Sequence, residues 1–262
     1  MTAAASEEHS DIDELVGETI DGTLVLVDQE RRLVFSADDR SLLGALTNSS
    51  DGKPALAKEL FPFAVNQEDH CETPRRAIAD IVPLLDRLRS VAGLDDRSEL
   101  IIYDPFYCDG SVKRLFASFG FDNVINERRD FWQTVADNAL PEFDVLITNP
   151  PFSGDNIERL RSVCLRKDKP CLLLAPNWLY TKPFFPAERN PLLIVPNKRY
   201  EFTTPKHLRA KGGKNKTSPF ACFWFCFVDA HNSQLAFTPT ADTQLFTSPS
   251  DLPANQKSSY DR

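Results

Sequence analysis

The chain has 262 residues, 42% of them hydrophobic and 26% charged, enough to enclose a full core in one large domain with tails or a small appendage. No stretch approaches the roughly 18–20 apolar residues of a membrane span, and the start of the chain has neither a secretory signal's apolar run nor a transit peptide's arginines. The formal charge of −8 argues against a polyanionic partner only until it is placed: residues 1–30 hold nine acids and no Lys or Arg, so the balance from Arg31 onward is +1.

Residues 1–20 are acidic and poor in aromatics, a composition that predicts disorder. Thr23–Val27 and Leu33–Phe35 are short apolar runs that predict a β-hairpin, and Leu46–Pro54 reads as loop. These segments form an N-terminal extension over residues 1–60. The body, residues 61–232, alternates helix and strand. Thr73-Pro74 predicts a helix start, with Thr capping free N–H groups and Pro at the first helical position. Ile78, Ile81, Val82, Leu85 and Leu88 continue it at helical spacing. Leu100–Tyr103 is a predicted strand closed by Asp104-Pro105. Val112–Phe119 is a helix stopped by Gly120, and Asn123–Asn126 a second strand. Phe143–Thr148 is an apolar strand ended by Asn149-Pro150-Pro151. Asn156–Leu165 is helical, and Cys171–Ala175, Leu192–Val195 and Phe220–Val228 are strands. Strands alternating with helices predict an α/β fold, a Rossmann-like doubly wound, mostly parallel sheet. Residues 233–262, rich in Ser, Thr, Pro and Gln, read as a flexible tail.

Six cysteines without a C-x-x-C pair are no disulfide framework, and four scattered histidines make a structural zinc site improbable, so no metal is expected. The cysteine usage reads as a reduced intracellular compartment, cytoplasm or nucleus. Cys222 and Cys226 alternate onto one face of their strand and read as buried packing.

Ligands of an open α/β sheet bind beyond the carboxyl ends of its strands. There the segment Asp144-Val-Leu-Ile-Thr-Asn149-Pro150-Pro151-Phe152 resembles the catalytic loop of the amino-methyltransferases dependent on S-adenosylmethionine, the class I group that includes the N6-adenine enzymes. Tyr103-Asp104-Pro105-Phe106 with Gly110-Ser111 is similar to that family's cofactor loop, though poorer in glycine and one residue longer. Asp69-His-Cys-Glu-Thr73-Pro74 is similar to the Thr-Pro helix start that precedes the loop. The resemblance spans residues 69 to about 228.

The resemblance implies S-adenosyl-L-methionine as cofactor and an exocyclic amine of a nucleic acid, adenine N6 in RNA or DNA, as substrate. Asn149 and the Pro150 carbonyl would accept the amine hydrogens, Phe152 would stack on the base, and Pro151 would line the substrate. Asp104 would meet the methionine amino group, beside Thr73, Phe106 and Gly110. Asn126 occupies the slot expected for the ribose contact, with Glu127 beside it as the favoured acid. Asp130 and Phe131 would contact the cofactor adenine. Two alternatives stay open: a protein glutamine methyltransferase, whose loop differs by Tyr for Phe, and a non-catalytic nucleic-acid-binding module of the same fold.

Asn197–Lys216 carries seven basic residues against the single acid Glu201, and its Arg199, Lys211, Lys214 and Lys216 are candidate phosphate contacts. Tyr200 and Phe202 within it either stack on bases or pin the loop. Trp178 either lines the pocket or, the favoured reading, fills the core.

Overall fold

The computed structural model describes residues 15–20, 23–28, 33–36, 42–48, 54–57, 63, 69–165, 169–181, 191–204, 221–228, 236–247 and 251–252. The chain forms two compact units, Met1–Pro62 and Phe63–Arg262.

The first unit is an antiparallel meander of β1 (Leu15–Ile20), β2 (Thr23–Asp28), β3 (Leu33–Ser36), β4 (Leu42–Asn48) and β5 (Pro54–Ala57), hydrogen-bonded in that order. The expected hairpin is present as β2 against β3, with Val27 opposite Val34. Ile20, Val25, Val27, Val34 and Leu46 form its core. Two expectations change here. β1 lies inside the stretch whose composition predicts disorder, and β4 and β5 take both ends of the predicted loop, at Leu46–Asn48 and Pro54. Neither Leu-Leu-Gly-Ala-Leu-Thr-Asn nor Pro-Ala-Leu-Ala has strong strand propensity; cross-strand pairing decides both. Pro54 is tolerated because it opens an edge strand.

The second unit is mixed α/β and compatible with a Rossmann-like fold. Its elements are α1 (Arg75–Val91), β6 (Ile102–Tyr103), α2 (Ser111–Ala117), β7 (Val124–Ile125), α3 (Phe131–Ala136), β8 (Val145–Thr148), α4 (Asn156–Leu165), β9 (Cys171–Pro176), β10 (Leu192–Pro196), β11 (Cys222–Phe227) and β12 (Thr243–Phe246). A seven-stranded sheet runs β12-β10-β11-β9-β8-β6-β7. β6, β7, β8 and β9 are mutually parallel, and β11 runs antiparallel to both β9 and β10, which leaves β10 parallel to the first four. The first four strands of this unit therefore lie in the order second, first, third, fourth. The order of strands therefore reverses between β6 and β8, and in doubly wound sheets ligands bind beyond the carboxyl ends of the strands at such a switch point.

Alternation along the strands supplies the two faces of the sheet. Ile102, Val145, Ile147, Leu172, Ile194 and Trp224 pack with α1 and α2. Tyr103, Leu146, Leu173, Leu193 and Phe225 pack with α3 and α4. Cys222 and Cys226 are buried on the first face, where burial pushes both thiols far above their ordinary range, in keeping with inert packing. Cys164 of α4 and Cys171 of β9 form a disulfide, which departs from the reading of the cysteines as reduced. β12 lies in the stretch that composition reads as tail; pairing with β10 recruits it to the sheet.

One local expectation is corrected and one open alternative is decided. Thr73 does not cap α1: the cap position is Pro74, which has no side-chain acceptor to offer the first N–H groups. Of the two readings open for Tyr200 and Phe202, the structure shows the one in which they pin the loop: both are buried in the core. The Tyr200 hydroxyl donates 2.8 Å to Asp80 of α1, which also accepts from Thr240 at 3.0 Å. Arg76 donates 3.1 Å to the Lys198 carbonyl, so α1 holds the segment that follows β10. Removing one partner from a buried hydrogen bond costs about 1–3 kcal/mol. Tyr200→Phe is therefore expected to lower stability by roughly that amount in denaturant unfolding; an unchanged midpoint would show that the Asp80 hydrogen bond does not hold the loop.

Candidate active site

Four neighbouring strands, β9, β8, β6 and β7, share one carboxyl edge. Each runs out into a residue bearing an amide or carboxyl group, and each of those groups is buried or half-buried.

β6 ends in Asp104, 5% exposed. Its Oδ1 accepts from the Thr148 hydroxyl of β8 at 2.8 Å and the Phe106 amide at 3.3 Å. Burial pushes its carboxyl up to about 7 against those two bonds, which favour the charged form. The loop from Asp104 turns at Gly110, whose φ of +82° favours glycine. A Cβ there would also lie 2.8 Å from the Tyr107 hydroxyl, so the single glycine of this loop is needed twice over. Asp109 closes the turn by accepting the Ser111 amide at 2.9 Å.

β7 ends in Asn126, 1% exposed. Its Nδ2 donates to the Asp104 carbonyl at 3.0 Å and the Phe106 carbonyl at 3.4 Å. Those carbonyls can only accept, which fixes the amide with Oδ1 turned the other way. That oxygen is buried and has no hydrogen-bond partner among the described residues. The favoured neighbour Glu127 is exposed and paired with Arg129 at 2.8 Å. Asn126, not Glu127, is thus the residue built into the edge.

β8 ends in Asn149. Its Nδ2 donates 3.0 Å to the Cys71 carbonyl, and its Oδ1 is likewise buried without a partner among the described residues. Pro150 is buried, and Pro151 and Phe152 are half-buried, Phe152 reaching the cores on both faces of the sheet. Asp69 accepts from the Ser153 backbone at 3.3 Å and from its hydroxyl. Glu72 pairs with Thr203 through a backbone bond of 2.8 Å and a side-chain bond of 2.9 Å. The segment before α1, in which Thr73 is half-buried, therefore clasps the Asn-Pro-Pro-Phe loop and the segment that follows β10.

Asp130 caps α3, accepting from Trp132 at 2.8 Å and Gln133 at 3.2 Å. Phe131 is buried, with ring centroids 6.3 Å from Tyr103, 5.3 Å from Phe106 and 4.8 Å from Trp132. Its ring is enclosed by aromatics, as a core residue's is. Arg199 is exposed just past the end of β10, while Lys211, Lys214 and Lys216 lie outside the described residues. Trp178 is half-buried against the α3–α4 core.

β9 ends in Pro176-Asn177, and sequence reasoning passed over Asn177. The usable signal was positional: β7, β8 and β9 are each followed within one residue by an asparagine. Among the described residues there is no cluster of His, Cys, Asp and Glu that could hold a metal ion. Nor is any described helix long and apolar enough to cross a membrane.

The Asp104 carboxyl sets a pH dependence. An unfolded Asp ionises near 3.9, whereas this one holds its proton to about 7 in the fold. Between those values the folded state binds more protons than the unfolded, so stability falls as pH rises through the window and levels off above it. A shift of this size corresponds to a loss on the order of 4 kcal/mol. Asp104→Asn should flatten the melting temperature between pH 5 and 7 and be the more stable protein at pH 8; an undiminished slope would assign the titration to another group.

No protein-family model, curated protein or solved structure matches the chain, so its function is read from its own residues.

Proposed function

We propose that the second unit is a methyltransferase dependent on S-adenosylmethionine and acting on an exocyclic amine of a nucleic acid, adenine N6 in RNA or DNA. The observation that carries this reading is the Asn149 amide: its nitrogen is anchored to a backbone carbonyl and its oxygen is buried without a partner among the described residues. A buried acceptor left unpaired destabilises the fold, and a substrate N–H is the donor that would relieve it.

An amine on an aromatic ring has its lone pair drawn into the ring and is a poor nucleophile. Asn149 Oδ1 accepts one of its hydrogens and the Pro150 carbonyl the other, which favours a pyramidal nitrogen with its lone pair free. Both prolines fix φ and lack an N–H, so no backbone donor competes for those acceptors. Phe152 stacks on the base, which must leave its helix to reach the strand ends. Two further features fit the cofactor: the Asp104 carboxyl beside the glycine turn suits an ammonium group, and the unpartnered Asn126 oxygen suits a ribose hydroxyl. When bound, the cofactor supplies an already activated methyl on a sulfonium. The chain's own contribution is then position and hydrogen-bond acceptance. The basic stretch Asn197–Lys216 supports nucleic acid over protein as the methyl acceptor.

Asn149→Ala should bind S-adenosylmethionine nearly as tightly as the wild type and lose methyl transfer by roughly a hundredfold or more. Transfer of labelled methyl from S-adenosylmethionine to total RNA, genomic DNA and protein extract reads this out. Full activity in the variant would overturn the role of Asn149, and label entering protein alone would move the substrate to a glutamine amide. Replacing Lys211, Lys214 and Lys216 by Glu should weaken nucleic-acid binding and flatten its salt dependence, by about 0.9 in log–log slope for each phosphate no longer neutralised; an unchanged slope would remove that stretch from the interface.

A further inference from the structure

Resting on the function just proposed, we infer that Asn177 is a specificity-determining contact for the base whose amine Asn149 receives. It is 1% exposed. Its backbone N–H donates 2.7 Å to the Ala221 carbonyl and so continues the β9–β11 pairing one residue beyond the strand. That bond fixes where the side chain emerges. The Oδ1 is buried and, among the described residues, has no hydrogen-bond partner.

Its place in the sheet says what it faces. The carboxyl edge reads Asn177 on β9, Asn149 on β8, Asp104 on β6 and Asn126 on β7. Adjacent strands stand about 4.8 Å apart, so the row spans roughly 14 Å. Asp104 and Asn126 serve the cofactor on one side of Asn149. Asn177 lies on the other side, where the base must extend. A primary amide presents a donor and an acceptor side by side, and in adenine the reactive amine is flanked by ring nitrogens that accept hydrogen bonds. Asn177 Nδ2 donates to one of those ring nitrogens, while Oδ1 takes an N–H or O–H of the flipped nucleotide. A base with an N–H at that ring position would oppose the amide N–H with another donor, and the site would reject it.

The test pairs Asn177→Leu with adenine analogues in an oligonucleotide substrate, one lacking ring nitrogen N1 and one lacking N7. Leu has nearly the same size and removes both polar atoms. The expected result is a fall in kcat/KM of roughly 10- to 100-fold for the variant on adenine. One of the two analogues should show a similar loss with the wild type and little further loss with Asn177→Leu. Thermal stability of the variant should match or exceed that of the wild type, because an unpaired buried acceptor has been removed. Losses that simply multiply for both analogues, or a variant that melts well below wild type, would overturn the role of Asn177 and make its amide structural. A wild type that methylates no adenine oligonucleotide would instead refute the parent reading, and the melting comparison would still tell whether the amide supports the fold.

Discussion

A parallel strand buried on both faces must shed its polar groups at its ends, and in this protein four adjacent strands do so along one edge. The consequence is a row of side-chain oxygens in a low-dielectric setting, two of them oriented by hydrogen bonds from their own amide nitrogens to backbone carbonyls. Such groups destabilise a folded chain when unpaired, and folding alone would favour apolar residues at those positions. The carboxyl of Asp104, held to about 7, belongs to the same class of local violation. Sites that break the rules of folding while the rest of the sheet obeys them are where function is expected.

Orientation is supplied from outside the sheet. The short stretch Asp69–Pro74 hydrogen-bonds to Asn149, Ser153 and Thr203, and α1 then holds the segment after β10 through Asp80 and Arg76 and holds β11 through the Ala77 carbonyl, which accepts from Trp224 at 2.9 Å. In sequence these residues lie far ahead of the loop they position. They couple the stability of α1 to the geometry of Asn149, so substitutions in the stretch should disturb the loop without touching any ligand.

Much of the second unit was legible because burial on both faces demands continuous apolar runs, and β6 to β11 are such runs bounded by Asp-Pro, Asn-Pro or charged residues. The helices α1 and α4 were legible from their period. β1, β4, β5 and β12 were not, since their sequences favour no strand and only partners across the sheet define them. At the site, Asp104 and Asn149 stand out because prolines and aromatics punctuate them. The preference for Glu127 over Asn126 rested on charge, whereas burial selects between neighbours and alternates along a strand. Tyr200 and Phe202 stayed open for the same reason: an aromatic within a basic stretch suits a base platform or an anchor equally, and only Asp80, 120 residues earlier, decides for the anchor by holding Tyr200. Asn177 carries no motif at all, and only the order of strands in the sheet makes it a neighbour of Asn149.

The most direct test of the whole account is calorimetric titration of the wild-type chain with S-adenosylmethionine at pH 6.5 in two buffers of different ionisation enthalpy. One binding site and net release of part of a proton per molecule bound are expected, as the Asp104 carboxyl gives up its proton to meet an ammonium group. The absence of binding heat in both buffers would contradict it, and binding without proton release would contradict the place given to Asp104.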